Sequence, residues 1–145
     1  MGTWIAQIGP EGPGGRAPSM SDVPYDAGNF SAIGASVWTV GPWAILSYEY
    51  IQIGNRLQVN IAIDGSTLAG GPCVWLEVQI PVGGLTIKRY VFGTAHVIID
   101  ANPQEIIEYR ASPGETRLLF RRLGALLWTP PCTIFLAAQS KVTLQ

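Results

Sequence analysis

Charged residues are scarce in this sequence. Only 13% of the 145 residues are charged, against about 25% in typical soluble domains, while 48% are hydrophobic. The nine basic and ten acidic residues nearly balance, and no basic run is longer than Arg121-Arg122. The sequence therefore lacks the basic surface that neutralises nucleic-acid phosphates, and we expect no nucleic-acid partner. So little charge also leaves few groups to cover a solvent surface, so we expect part of the surface to be an interface.

The residue types that usually perform catalysis are also few. His96 is the only histidine and lies in an apolar run, where we interpret it as a strand residue facing solvent or an interface rather than as a general base. Glu105 and Glu108 are three apart, a spacing that points them to opposite faces of a strand, whereas glycoside hydrolysis needs two acids facing one cleft. The sequence contains no metal-ligand spacing and no phosphate-binding loop. We therefore expect no enzymatic activity, no cofactor and no metal.

Long apolar runs and closely spaced cysteines are missing as well. No segment approaches the roughly 18 uninterrupted apolar residues needed to cross a bilayer, and the N-terminus has no charged start followed by an apolar run. We therefore expect neither a membrane partner nor export. The two cysteines, Cys73 and Cys132, lie far apart in sequence. We expect two buried free thiols, and a disulfide between neighbouring strands stays open as the alternative.

The first 33 residues differ in composition from the rest of the chain. Residues 1–33 are rich in proline and glycine and show no sustained periodicity. Because proline removes backbone donors and glycine raises the entropy cost of ordering, we predict an extended arm, with a flexible tail as the alternative. Apolar residues in this arm are spaced like the docking points of an extended peptide on a neighbouring surface. The candidate anchors are Trp4, Ile5, Ile8, Tyr25 and Phe30.

The remaining residues, 34–145, are predicted to form one β domain. Short runs rich in valine, isoleucine, threonine and aromatic residues are separated by turn residues at nearly regular intervals, which is typical of all-β proteins. We predict a jelly-roll-like sandwich or a small barrel, because both bury one face of each strand and manage exposed edges. Segments 106–110 and 118–127 could instead be helical. The predicted strands are 35–40, 44–53, 56–63, 73–80, 85–92, 95–100, 105–111, 115–120, 132–138 and 141–144.

The clearest local signal is a β-hairpin. Two alternating runs flank the turn signal Gly54-Asn55. With Ile53 opposite Arg56, one face of the ribbon is apolar and points inward, while the outer face is mixed and carries Ile51 and Ile53 as candidate interface residues. The predicted inner pairs are Gln52/Leu57, Tyr50/Val59, Tyr48/Ile61 and Leu46/Ile63.

Two of the five tryptophans are further interface candidates. Trp75 alternates with an aliphatic set, so if that set forms the core, Trp75 lies on the polar face and is free to bind a ligand or a partner. Trp128 precedes Thr129-Pro130-Pro131, and loop aromatics beside prolines often form rigid contact surfaces. Core packing is the alternative for both.

The hairpin also carries a resemblance to a family. Tyr50-Ile-Gln-Ile-Gly-Asn-Arg-Leu-Gln-Val-Asn, followed by an apolar strand ending in Ile80-Pro81, resembles small β domains of tailed-phage virion proteins. The resemblance is greatest to capsid decoration (cement) proteins. It implies a non-enzymatic homotrimer, made in the host cytoplasm, that binds the major capsid protein on the capsid exterior. The alternative is a tail-fibre or receptor-binding module that holds glycans through surface aromatic residues.

Overall fold

The structure, a computed structural model, describes residues 19–145. Trp4, Ile5 and Ile8, three of the predicted anchors, lie outside the described residues. Residues 19–145 form ten β-strands and two short 3-10 turns, Ala27–Asn29 and Pro42–Ala44. The strands are β1 (Ser21–Asp22), β2 (Phe30–Ala32), β3 (Ser36–Thr39), β4 (Ile45–Ile53), β5 (Arg56–Gly70), β6 (Leu76–Gln79), β7 (Val91–Ile99), β8 (Glu105–Ala111), β9 (Arg117–Arg122) and β10 (Cys132–Thr143).

All ten strands belong to one antiparallel sheet that curls into a half-barrel. The strand order is β1-β4-β5-β10-β7-β8-β9-β6-β2, and β3 pairs with β5 off this path. The long strand β5 pairs with β4 through its first half and with β3 through its second half, while β10 pairs along its other edge. The predicted all-β class, a sandwich or small barrel, is confirmed.

The hairpin of β4 and β5 has the predicted register near its turn. Ile53 lies opposite Arg56, and the pairing continues without a shift to Tyr48 opposite Ile61. Beyond that point a bulge inserts Leu46, so that Ile45 rather than Leu46 lies opposite Ile63. The predicted Leu46/Ile63 pair is therefore wrong, because a bulge leaves its extra residue unpaired, and Leu46 is exposed.

Several predicted breaks and strands also need correction. The predicted turn region 64–72 is instead the second half of β5 as far as Gly70, because β3 and β10 both offer pairing partners there. The predicted strands 85–92 and 95–100 are one strand, β7, which starts only at Val91 and runs through the predicted break at Gly93. Ile87 forms an isolated bridge to Leu144. The predicted strand 73–80 starts only at Leu76. Neither of the two segments that could have been helical is a helix: 106–110 lies in β8, and 118–127 lies partly in β9 and partly in the connection to β10. The predicted strands 132–138 and 141–144 merge into β10, which ends at Thr143.

Part of the predicted arm belongs to the sheet. Ser21–Asp22 pairs with β4, and Phe30–Ala32 pairs with β6. Phe30, predicted to be an anchor on a neighbouring surface, is instead buried in this chain's own core. The correction has a packing cause: the Phe30 ring lies 5.7 Å from that of Trp38 and 5.6 Å from that of Tyr48, between centroids.

The same three aromatic rings close one side of the half-barrel. No backbone pairing joins β4 to β6 within residues 19–145. Instead, the Tyr48 hydroxyl on β4 donates a hydrogen bond to the Gln79 carbonyl at the end of β6. Side chains rather than a strand ladder therefore hold this seam between β4 and β6.

Two buried side-chain hydrogen bonds link β3, β5 and β10. The Trp38 indole N–H donates to Ser66 Oγ at 2.9 Å, and Ser66 Oγ donates to the Ile134 carbonyl at 2.9 Å. Ser66 is buried, and its hydroxyl forms both of these hydrogen bonds. One hydroxyl thus satisfies two groups that the apolar core could not.

We expect Ser66→Ala to lower the free energy of unfolding by roughly 1–3 kcal/mol, because it leaves a buried donor and a buried acceptor without a partner. Urea unfolding monitored by tryptophan fluorescence measures this loss. Thr67→Ala, one residue along the same strand with an exposed side chain, is the matched control and should change stability by about 0.5 kcal/mol or less. Equal losses in the two variants would contradict this role for Ser66.

Candidate binding surfaces

One outer face of the sheet gathers aromatic and arginine side chains. Strand pairing sets Phe92 of β7 opposite Arg110 of β8, and sets Glu108 of β8 opposite Arg121 of β9. These positions alternate with the buried residues of the same strands, so they share the outer face. We call the set the aromatic–arginine face, and its members are Trp75, Tyr90, Phe92, Glu108, Arg110 and Arg121.

Arg110 lies at the centre of this face. Its guanidinium carbon is 4.8 Å from the ring centroid of Trp75, 5.2 Å from that of Phe92 and 5.8 Å from that of Tyr90. The Arg121 guanidinium lies 5.1 Å from the Trp75 ring. All four distances are within the range of cation–π attraction. The rings of Tyr90 and Phe92 also contact each other, with centroids 4.8 Å apart.

One carboxylate serves both arginines of the face. Glu108 Oε1 accepts from Arg121 Nε at 3.2 Å, and Glu108 Oε2 lies 3.5 Å from Arg110 Nη2. One negative charge therefore faces two positive charges. Arg110 Nε is buried and has no hydrogen-bond partner in the described part of the chain. The face is consequently left with an excess positive charge and an unused donor.

The two tryptophan predictions have different outcomes. Of the aliphatic set that alternates with Trp75, Leu76, Val78 and Ile80 are buried as the alternation predicts, but Val74 is 41% exposed. Trp75 lies on the face opposite the buried three, against Arg110. Its role as an interface residue stays a prediction. Trp128, the other candidate, is fully buried, and its indole N–H donates to the Phe120 carbonyl at 3.3 Å. The interface prediction for Trp128 is wrong, because its ring fills this chain's own core.

A second candidate surface lies at the tip of the β4–β5 hairpin. An open groove of about 450 Å³ is bordered there by β4, β5 and the end of β10. It contains both outer-face isoleucines that we predicted from the hairpin alternation, and Ile53 is 61% exposed. We call this the hairpin groove, and it is lined by Ile51, Ile53, Arg56, Leu57, Gln58, Lys141, Val142 and Thr143.

Tyr25 lies outside both surfaces. Its ring is partly exposed, and its hydroxyl donates to the Val40 carbonyl at 2.9 Å. The side chain therefore holds the segment before β2 against the end of β3. Its proposed role as an anchor on a neighbouring surface stays a prediction.

The acidic residues and the histidine occupy separate positions. Glu105 forms a two-point ion pair with Arg122, at 2.8 and 3.1 Å, near the end of β9. Glu108 belongs to the aromatic–arginine face, so the two carboxylates engage different arginines. His96 Nδ1 lies 3.0 Å from Gln104 Nε2 at the exposed start of β8. Over residues 19–145, no group of three His, Cys, Asp or Glu side chains is placed to hold a metal ion.

Sequence reasoning missed most of the aromatic–arginine face. Tyr90, Phe92, Arg110 and Arg121 lie in three separate stretches of sequence, and only the pairing of β7, β8 and β9 brings them together. The alternation of Glu108 and Arg110 within a strand was the one local signal. The pairing register was needed to reveal the rest.

Comparison with protein-family profiles, with curated proteins and with solved structures found no match to this chain. No helix within residues 19–145 has the length and apolar character to span a bilayer. The function must therefore be inferred from the surfaces themselves.

The two cysteines are buried free thiols, as we predicted from the sequence. Burial raises the pKa of the Cys73 thiol, against a smaller opposing effect of a hydrogen bond with Ser36. Burial also raises the pKa of the Cys132 thiol, and the nearby Asp100 carboxylate adds to that shift. Both groups are therefore protonated and unreactive near neutral pH.

We expect both thiols to react with a disulfide reagent about tenfold or more slowly than free cysteine at neutral pH, because the native fold both covers them and disfavours the thiolate. The rate should rise with pH beyond the ordinary thiol range, since the raised pKa moves thiolate formation upward. Absorbance during labelling gives both rates, and two thiols should react at once in denaturant. Rapid native labelling of either cysteine would contradict this result.

Proposed function

We propose that this protein is a structural protein of a tailed-phage virion, which forms a homotrimer and binds the major capsid protein on the capsid exterior without catalysis. The single observation that supports this best is the hairpin groove, which presents the exposed Ile53 and the half-buried Ile51 at the edge of the sheet. The trimeric state and the capsid partner are taken from the resemblance of the hairpin sequence to decoration proteins.

The edge beside the groove is suited to accept another polypeptide. Within residues 19–145, β1 pairs with β4 only at Tyr50 and Glu49. From Ile51 to Ile53, β4 pairs with β5 on one side, and no strand of residues 19–145 pairs with its other side. Unpaired strand edges with apolar side chains are common sites of strand addition and subunit contact.

Further apolar residues are exposed away from the groove. Trp43, in the 3-10 turn before β4, and Leu46, at the bulge within β4, are both exposed. Three leucines, Leu123, Leu126 and Leu127, are exposed in the connection from β9 to β10. Several separate apolar contacts suit a protein that binds both its own copies and a lattice, since simultaneous contacts add avidity. A protein that binds only the assembled lattice stabilises it by mass action.

We expect Ile53→Asp to shift the protein from trimer towards monomer, because a carboxylate at the groove would have to be desolvated in the contact. Light scattering across a dilution series measures the change in mass. Ile106→Asp is the matched control, since Ile106 is 53% exposed on the outer face of β8, away from the groove, and this variant should keep the wild-type mass.

Co-sedimentation with capsids of the source phage completes this test. Wild type and Ile106→Asp should sediment with the capsids, and Ile53→Asp should bind more weakly because fewer of its contacts act together. A wild-type protein that is monomeric at every dilution and stays in the supernatant would contradict the proposal.

A further inference from the structure

The aromatic–arginine face has features that stabilisation of the sheet does not require. Arg110 is held among three rings, yet the outer parts of those rings remain open to solvent: Phe92 is 61% exposed and Tyr90 is 48% exposed. If the contacts between Arg110 and the rings only stabilised the fold, the rings would not need to be exposed. The open ring surfaces therefore offer a platform on which a second group can stack.

The polar groups of the face indicate the charge of that second group. Glu108 is shared between Arg110 and Arg121, so its single negative charge cannot neutralise both. Arg110 Nε also lacks a partner among the described residues, but it is buried and cannot meet a ligand from solvent. A planar carboxylate is the group whose two oxygens match guanidinium donors in geometry and charge. The unmatched positive charge of the two arginines thus favours an anion with a carboxylate group.

The shape of the face limits the ligand further. The rings of Tyr90 and Phe92 contact each other, with their planes tilted by 37°, on the outer surface of a sheet rather than in a deep cavity. Such a surface suits the flat apolar side of a sugar ring, while the neighbouring arginines reach substituents at its edge. An extended nucleic-acid strand fits less well, because the whole chain carries a net charge of −1.

We infer that the aromatic–arginine face binds an acidic saccharide, with a sugar ring stacked on Phe92 and Tyr90 and its carboxylate held by Arg110. Arg121 adds to the positive charge, and Trp75 orients both arginines. None of these residues lines the hairpin groove, so the inference goes beyond the proposed capsid role and does not depend on trimer formation.

The test uses the full-length protein and an oligomer of galacturonic acid, titrated by calorimetry, with the galactose oligomer of equal length as the neutral comparison. We expect the acidic oligomer to bind and the affinity to fall as salt rises, because the carboxylate contact is ionic. The neutral oligomer should bind about fivefold or more weakly, since it lacks the group that engages the guanidinium.

Two variants test the assigned residues. Phe92→Ala should weaken binding of the acidic oligomer about fivefold or more by removing the exposed stacking surface, and Arg110→Gln should abolish the preference for the acidic oligomer. Ile106→Ala alters an equally exposed apolar residue on the outer face of β8 and should bind like wild type. Circular dichroism verifies that each variant is folded.

Three results would overturn the inference. These are no binding of the acidic oligomer at millimolar concentration, equal binding of the acidic and neutral oligomers, or unchanged binding by folded Phe92→Ala. Light scattering on the same samples reports trimer formation separately, so failure of the saccharide site and failure of the proposed capsid role give different results.

Discussion

The pairing between β5 and β10 is the constraint on which the rest of the structure depends. These two long strands lie side by side from Arg56/Thr143 to Leu68/Cys132. Every other strand is placed by them: β4 and β3 divide the free edge of β5, and β7 pairs with β10 and leads on to β8, β9, β6 and β2. This long ladder, with one register shift between Ile134 and Leu136, thus fixes which side chains of β5 and β10 face inward. The buried hydroxyl of Ser66 ties this ladder to Trp38 of β3, so backbone register and core packing specify the same arrangement.

The two candidate surfaces result from the same alternation. Side chains that alternate with core residues along a strand point outward. In β4 these include Ile51 and Ile53, which line the hairpin groove. In β7 and β8 they include Phe92 and Arg110 of the aromatic–arginine face. The hairpin groove combines aliphatic residues with Arg56 and Lys141 at a sheet edge, whereas the aromatic–arginine face combines aromatic rings with arginines across paired strands. Their chemistry therefore favours different partners, a polypeptide for the first and an anionic ligand for the second.

Local sequence patterns predicted the parts of the fold that depend on neighbouring residues. The Gly54-Asn55 turn and the alternation around it gave the hairpin register as far as Tyr48 and Ile61. They failed at Leu46, because a bulge there shifts the pairing of β4 with β5 and the alternation pattern gives no sign of it. They failed again at 64–70, where glycine and polar residues that are typical of a turn extend a strand because β3 and β10 are already paired beside it. Trp128 and Phe30 could not be assigned to the core by pattern, since each is buried by residues distant in sequence. The aromatic–arginine face escaped prediction for the same reason.

The seam between β4 and β6 gives the molecule a mechanical character that a closed barrel would not have. A barrel closed all round by backbone ladders resists widening with every strand pair. Here one side is closed by the rings of Phe30, Trp38 and Tyr48 and by one phenolic hydroxyl bonded to the Gln79 carbonyl. Separation of β4 from β6 would therefore break ring contacts and one side-chain hydrogen bond but no ladder between these two strands. Residues 23–29 would still tether the two sides, because they join β1, which pairs with β4, to β2, which pairs with β6.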